Sequence, residues 1–130
     1  MTPNEYQELA MRTNDGKHSE RLHNFPTRLL LASAESHKAI KGGDLLNGVM
    51  GLCGEAGEVS DLIKKMIFHG HSVDIEKIKK ELGDVCWYIA MICYAIDLDL
   101  EDVMQANIDK LKKRYPNGFS EQNSINRLEG

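Results

Sequence analysis

The chain has no apolar run approaching the ~18 residues that a membrane span requires, and its polar start, MTPNEYQ, has none of the features of a secretory leader. These absences set the expectation of a cytoplasmic protein with no membrane partner. Cysteine is sparse: Cys53, Cys86 and Cys93 are odd in number, form no CxxC pair and sit within helical patterns, so they read as reduced core residues and not as disulfides or zinc ligands. A formal net charge of −4 lacks the positive excess that general nucleic-acid binding needs. No internal repeat or low-complexity segment interrupts the chain. What is present is ordinary for one soluble domain spanning 1–130: 130 residues, 42% apolar and 28% charged, enough for a real core.

The stretch from Gly54 to Asp84, GEAGEVSDLIKKMIFHGHSVDIEKIKKELGD, is the most informative. Glu55 with Glu58, and Glu81 with Asp84, are each three residues apart, which on an α-helix sets both members of a pair about 60° apart on one face. Leu45, Val49, Leu52, Ala56, Val59, Ile63 and Met66 recur at steps of four and three, and Ile75, Ile78, Leu82, Val85, Ile89, Ile92 and Ile96 at steps of three and four. Both series predict the apolar seam of a bundle helix. The two acidic pairs hold the same positions on the flank of their respective seams. Between the helices lies Phe68-His69-Gly70-His71-Ser72-Val73, with Gly70 suited to a helix end and Ser72 or Asp74 to an N-cap. So short a connection predicts an antiparallel hairpin that turns the matching flanks together.

Four carboxylates so arranged repel, and protonation or a bound cation must relieve them. An all-oxygen ligand set favours Mg²⁺ or Mn²⁺ over zinc. One such pair alone is usually a solvated helix face; two at matched positions on adjacent helices are not the common case. Gly51, Gly54 and Gly57 each cost about 1 kcal/mol relative to Ala inside a helix, and Gly48 and Gly51 share the acidic flank, where they are expected to leave room for a ligand. A di-iron carboxylate bundle would need an ExxH pair, which neither helix has.

The remaining elements frame these two. Residues 4–13 predict a short amphipathic helix with Tyr6, Leu9 and Ala10 on one side, and residues 14–26 a polar loop carrying solvent-exposed His18 and His23. Thr27 is a candidate cap for a helix to about Lys41 that packs Leu30, Leu31 and Ala34 inward and ends at Gly42-Gly43. Glu35, His37 and Lys38 on it are pocket or surface residues. Asp44 then caps the first acidic helix. After a tight break at Asp97-Leu98-Asp99, an acidic first turn opens a helix to about Arg114 with Met104, Ile108 and Leu111 as core stripe. Asn107, Lys110 and Arg114 follow at spacings of three and four, either as a basic helix end or as a grip on phosphate. Pro116-Asn117-Gly118 stops this helix, and a loosely held tail follows Ser120. The organisation expected is an N-terminal helix and loop over 1–26, a helical core over 27–114 and a C-terminal tail over 115–130. That makes an all-α antiparallel bundle of four to five helices, with more apolar helix surface than one small bundle covers; a homodimer or dimer of dimers is expected.

Three blocks, LLNGVMGLCGEAGEVSDLIKK, ELGDVCWY and NIDKLKKRYPNGFS, with a weaker echo in EYQELAMRT, resemble the MazG-like members of the all-α nucleoside triphosphate pyrophosphohydrolases. The resemblance covers roughly Leu46 to Ser120. It implies an all-helical oligomer and Mg²⁺-dependent cleavage of a (deoxy)nucleoside triphosphate to monophosphate and pyrophosphate, in nucleotide-pool cleansing or control. Metal ligands then fall on Glu55, Glu58, Glu81 and Asp84, substrate contacts on Asn107 and Lys110, and a nucleoside contact on Tyr88. Lys65, seven residues beyond Glu58, and Arg114 are further phosphate candidates. Many relatives have another glutamate where this chain has Gly54, so the catalytic base falls to Glu55 or Glu58. A non-catalytic helical module binding metal or nucleotide is the alternative; it would keep the seams but has no need of matched acidic flanks.

Overall fold

A computed structural model describes residues 1–32 and 40–126. Among them the chain is all-α, with six helices and no strand: α1 (Pro3–Met11), α2 (His18–Ala32), α3 (Gly42–Phe68), α4 (Ile75–Ala95), α5 (Leu100–Arg114) and α6 (Glu121–Ile125). The chain divides into two compact units, Met1–Gly42 and Gly43–Gly130.

In the first unit, α1 is closed by a reciprocal capping box, the Thr2 hydroxyl accepting from the Glu5 amide and the Glu5 carboxylate from the Thr2 amide. The loop expected over 14–26 ends early, because α2 begins at His18 and not after Thr27. Asp15 supplies the reason. Its carboxylate accepts from the Lys17 amide and pairs with Arg21, one turn into the helix, which pulls Asp15 below the usual carboxylate range. Pro26 is accommodated inside α2, and Leu30 and Leu31, expected to pack inward, are exposed. Glu35, His37, Lys38 and Ala34 lie outside the described residues.

The second unit opens within the first turn of α3, which starts at Gly42, so Asp44 sits within that turn and not at its cap. Its far end follows the expectation: Gly70 adopts φ 71°, the left-handed conformation that glycine takes at least cost, and the His71 amide reaches back to the Lys65 carbonyl at 3.2 Å. Asp74, not Ser72, caps α4, accepting from the Lys77 amide at 2.9 Å. At the other end of α4 the Leu98 amide bonds the Cys93 carbonyl at 2.9 Å while Asp97 takes φ 56°, which makes the tight break before α5. Where a loosely held tail was expected after Ser120, residues Glu121–Ile125 form the short helix α6, capped by the Ser120 hydroxyl.

The core is thin. Among the described residues, Cys93 and Ala95 are the buried apolar side chains and Gly48 is buried as well, whereas Cys53 and Cys86 are exposed, contrary to expectation. Seam residues are left wet: Val49 is 45% exposed, Leu82 48% and Ile108 45%.

Candidate metal centre

α3 and α4 meet along the flank that carries the acids, with the seam residue Ile92 drawn into the contact. A Cβ on Gly48 would lie 2.8 Å from Ile92 Cγ1, and one on Gly51 would overlap the Tyr88 ring. One turn further along α3, Glu55 meets Glu81 and Asp84. Each step up α3 is matched by an equal step down α4, so the helices are antiparallel, as the six-residue turn predicted. Helix axes come closest where one partner has no side chain, and two glycines on the flank draw the contact there. The space that Gly48 and Gly51 were expected to leave for a ligand is filled by Ile92 and Tyr88. Tyr88, half-buried, also packs edge-to-face on Trp87 with ring centroids 5.0 Å apart. Asn47 donates to the Met91 sulfur at 3.4 Å on the same side of the hairpin.

This wedge stands one turn from the acidic group on both helices. One carboxylate oxygen from each of Glu55, Glu81 and Asp84 lies within 4.8 Å of the other two. Glu55 and Glu81 are half-buried and Asp84 is exposed. Glu58, exposed on α3, stands outside this trio. Its charge is nonetheless felt: the Glu55 carboxyl is pushed above its ordinary range first by burial, then by Glu58, Asp84 and Glu81 in turn. Three convergent carboxylates with no nitrogen or sulfur among them suit a hard divalent cation.

The remaining predicted residues are placed less closely. Lys65, a candidate phosphate ligand, is bound by Asp61 at 2.5 Å, and Lys64 pairs with the same carboxylate at 2.7 Å. Hydrogen bonds from these two lysines lower Asp61 to about 2. Asp61 escaped the sequence reading although its spacing of three and four from the lysines was the available signal. Asn107 and Lys110 are exposed on α5 and Arg114 is half-buried; among the described residues, no hydrogen bond or ion pair joins them to the acidic group. Beyond Glu58 and Glu81, at the turn, lies an open cleft of about 340 Å³ lined by Leu62, Met66, His71, Ser72, Asp74 and Lys77. It too was missed, because it depends on how the turn folds. No helix among the described residues is long and apolar enough to cross a membrane.

Residues 43–119 match the model of the MazG nucleotide pyrophosphohydrolase domain, a span that includes the whole acidic hairpin and α5. The chain is also 37% identical over 82 residues to the Gene 37 protein of Mycobacterium phage L5, covering 60% of this chain and 72% of that protein. No solved structure matches.

Proposed function

We propose, from the premise that this chain belongs to the MazG nucleotide pyrophosphohydrolase family, that it hydrolyses a nucleoside triphosphate to the monophosphate and pyrophosphate. The observation that carries the reading is the convergence of Glu55, Glu81 and Asp84 from two helices onto one point, within the matched span. The donor set fits Mg²⁺, with Mn²⁺ as substitute, and these three residues would hold it. When bound there, the cation neutralises phosphate oxygens and lowers the pKa of a bound water.

The chain's own residues then divide the work. Glu58 lies close enough to act on Glu55 yet outside the trio, so its carboxylate is the one left to take a proton from the attacking water. Glu55, half-buried and crowded by three acids, is the ligand whose charge most needs a cation. Tyr88 against Gly51 holds the helices at the spacing that lets the trio meet. Asn107, Lys110 and Arg114 on α5 are assigned to the outer phosphates, where cations and an amide share the charge of the departing pyrophosphate. Lys65 joins them only by leaving Asp61.

The wet seams support a homodimer or dimer of dimers as the working form. We place the reaction in the cytoplasm, where it would clear or limit nucleotides. A panel of common and modified nucleoside triphosphates with Mg²⁺, read by pyrophosphate release, tests the assignment. Release from at least one member is expected; silence across the panel would leave a non-catalytic binding module.

A further inference from the structure

Among the described residues, the two ends of the acidic flank differ. Toward the N-terminus of α3, the flank is closed by Tyr88 over Gly51 and by Ile92 and Met91 against Gly48. Toward the turn, the same flank opens into the 340 Å³ cleft. That volume is within the range of about 300–1,000 Å³ typical of small-molecule pockets. Leu62 follows Glu58 by four residues and Lys77 precedes Glu81 by four, so at 1.5 Å per residue the cleft begins about 6 Å from the outer acids. That is a separation of the order of one sugar between a phosphate and its base.

The lining distinguishes which end of a nucleotide the cleft suits. Leu62 and Met66 are apolar and half-buried. Lys77 brings one positive charge and Asp74 one negative, while Lys64 and Lys65 nearby on α3 are already engaged by Asp61. A wall of balanced charge offers little to pyrophosphate. Apolar side chains together with hydrogen-bond donors and acceptors are what a flat heterocycle with a polar edge requires, and the lining has both.

We propose that the cleft at the α3–α4 turn takes the base and sugar of the nucleotide, with Leu62 and Met66 against the face of the base and His71, Ser72, Asp74 and Lys77 presented to its polar edge. Base selection then resides in the turn and not at Tyr88, whose ring is committed to Gly51. This inference rests on the triphosphate hydrolase reading, and its test separates the two.

The full chain labelled with [methyl-¹³C]methionine is titrated, in Mg²⁺, with α,β-methylene nucleoside triphosphates of the four common bases and with inorganic tripolyphosphate, which has the phosphates but no base. Met66→Leu and Met91→Leu assign the two reporters. The Met66 methyl resonance is expected to shift with at least one nucleotide and to stay in place with tripolyphosphate, while Met91 moves little with either. Lys77→Ala should raise KM for the preferred nucleotide about tenfold or more and leave inhibition by pyrophosphate unchanged. A Met66 signal that is silent to every nucleotide, or equally responsive to tripolyphosphate, or outmatched by Met91, overturns the proposal. Pyrophosphate release from hydrolysable substrate without a Met66 response sinks the base cleft alone; a base-dependent Met66 response without turnover sinks the hydrolase reading alone.

Discussion

The ring of Tyr88 lies directly over the backbone of Gly51, closer than any Cβ at that position would allow. Because Glu55 is one turn from Gly51 and Asp84 one turn from Tyr88, whatever sets this contact also sets the distance between the carboxylates.

Gly51→Ala is therefore expected to act at the metal centre although residue 51 has no ligand atom. Alanine gains about 1 kcal/mol of helix propensity over glycine, but overpacking against an aromatic ring costs about 1–3 kcal/mol. The net expectation is a small loss of stability in urea denaturation with a larger loss of Mg²⁺ affinity by calorimetry. Unchanged Mg²⁺ binding would show that the wedge does not govern the site.

The two classes of acid should fail differently. Asp84→Asn removes a member of the trio and should abolish Mg²⁺ binding and turnover together. Glu58→Gln should retain Mg²⁺ binding and lower kcat by about 10²–10⁴-fold, the usual contribution of a general base. Both should keep full helical content by circular dichroism, since neither residue is in a seam. Equal loss of Mg²⁺ in both variants would make Glu58 a ligand.

Crowding at Glu55 gives a signed pH effect. Its folded-state carboxyl titrates above the ordinary 4.5, so between the two values the folded chain holds a proton that the unfolded chain has released. Stability of the metal-free protein should be highest below 4.5 on this account and fall as pH rises through the folded range. Added Mg²⁺ should remove the decline, and Glu55→Gln should flatten it. Melting temperature followed from pH 4 to 8, with and without Mg²⁺, checks both; a wild-type slope in Glu55→Gln would assign the effect elsewhere.

Wet seam residues make the assembly testable. Val49, Leu82 and Ile108 would be covered by a second copy, so Leu82→Glu should yield monomer in light scattering at micromolar concentration. A wild-type chain that is itself a stable, active monomer would contradict the oligomeric reading.

The convergence of Glu55, Glu81 and Asp84 was legible in the sequence because it needs only local rules, two i, i+3 pairs and a turn too short for anything but a hairpin, whereas Glu58, expected to converge with them, stands outside the trio. Which flank residues touch was less so. Gly48 and Gly51 signalled close approach, but not that Ile92 and Tyr88 would be what approached. The start of α2 was hidden since Gly16 and Pro26 look like breakers, while the stabilising contact, Asp15 with Arg21, spans the loop boundary. Lys65 looks available from its distance to Glu58 alone, but Asp61, four residues before it, takes its ammonium.

On the proposed function, the acidic trio and Glu58 direct water onto the α-phosphorus of a nucleoside triphosphate. Turnover in ¹⁸O-labelled water, followed by mass spectrometry of both products, tests it most directly. One labelled oxygen is expected in the nucleoside monophosphate and none in the pyrophosphate; label confined to the pyrophosphate, or orthophosphate as the first product, rules out attack at the α-phosphorus.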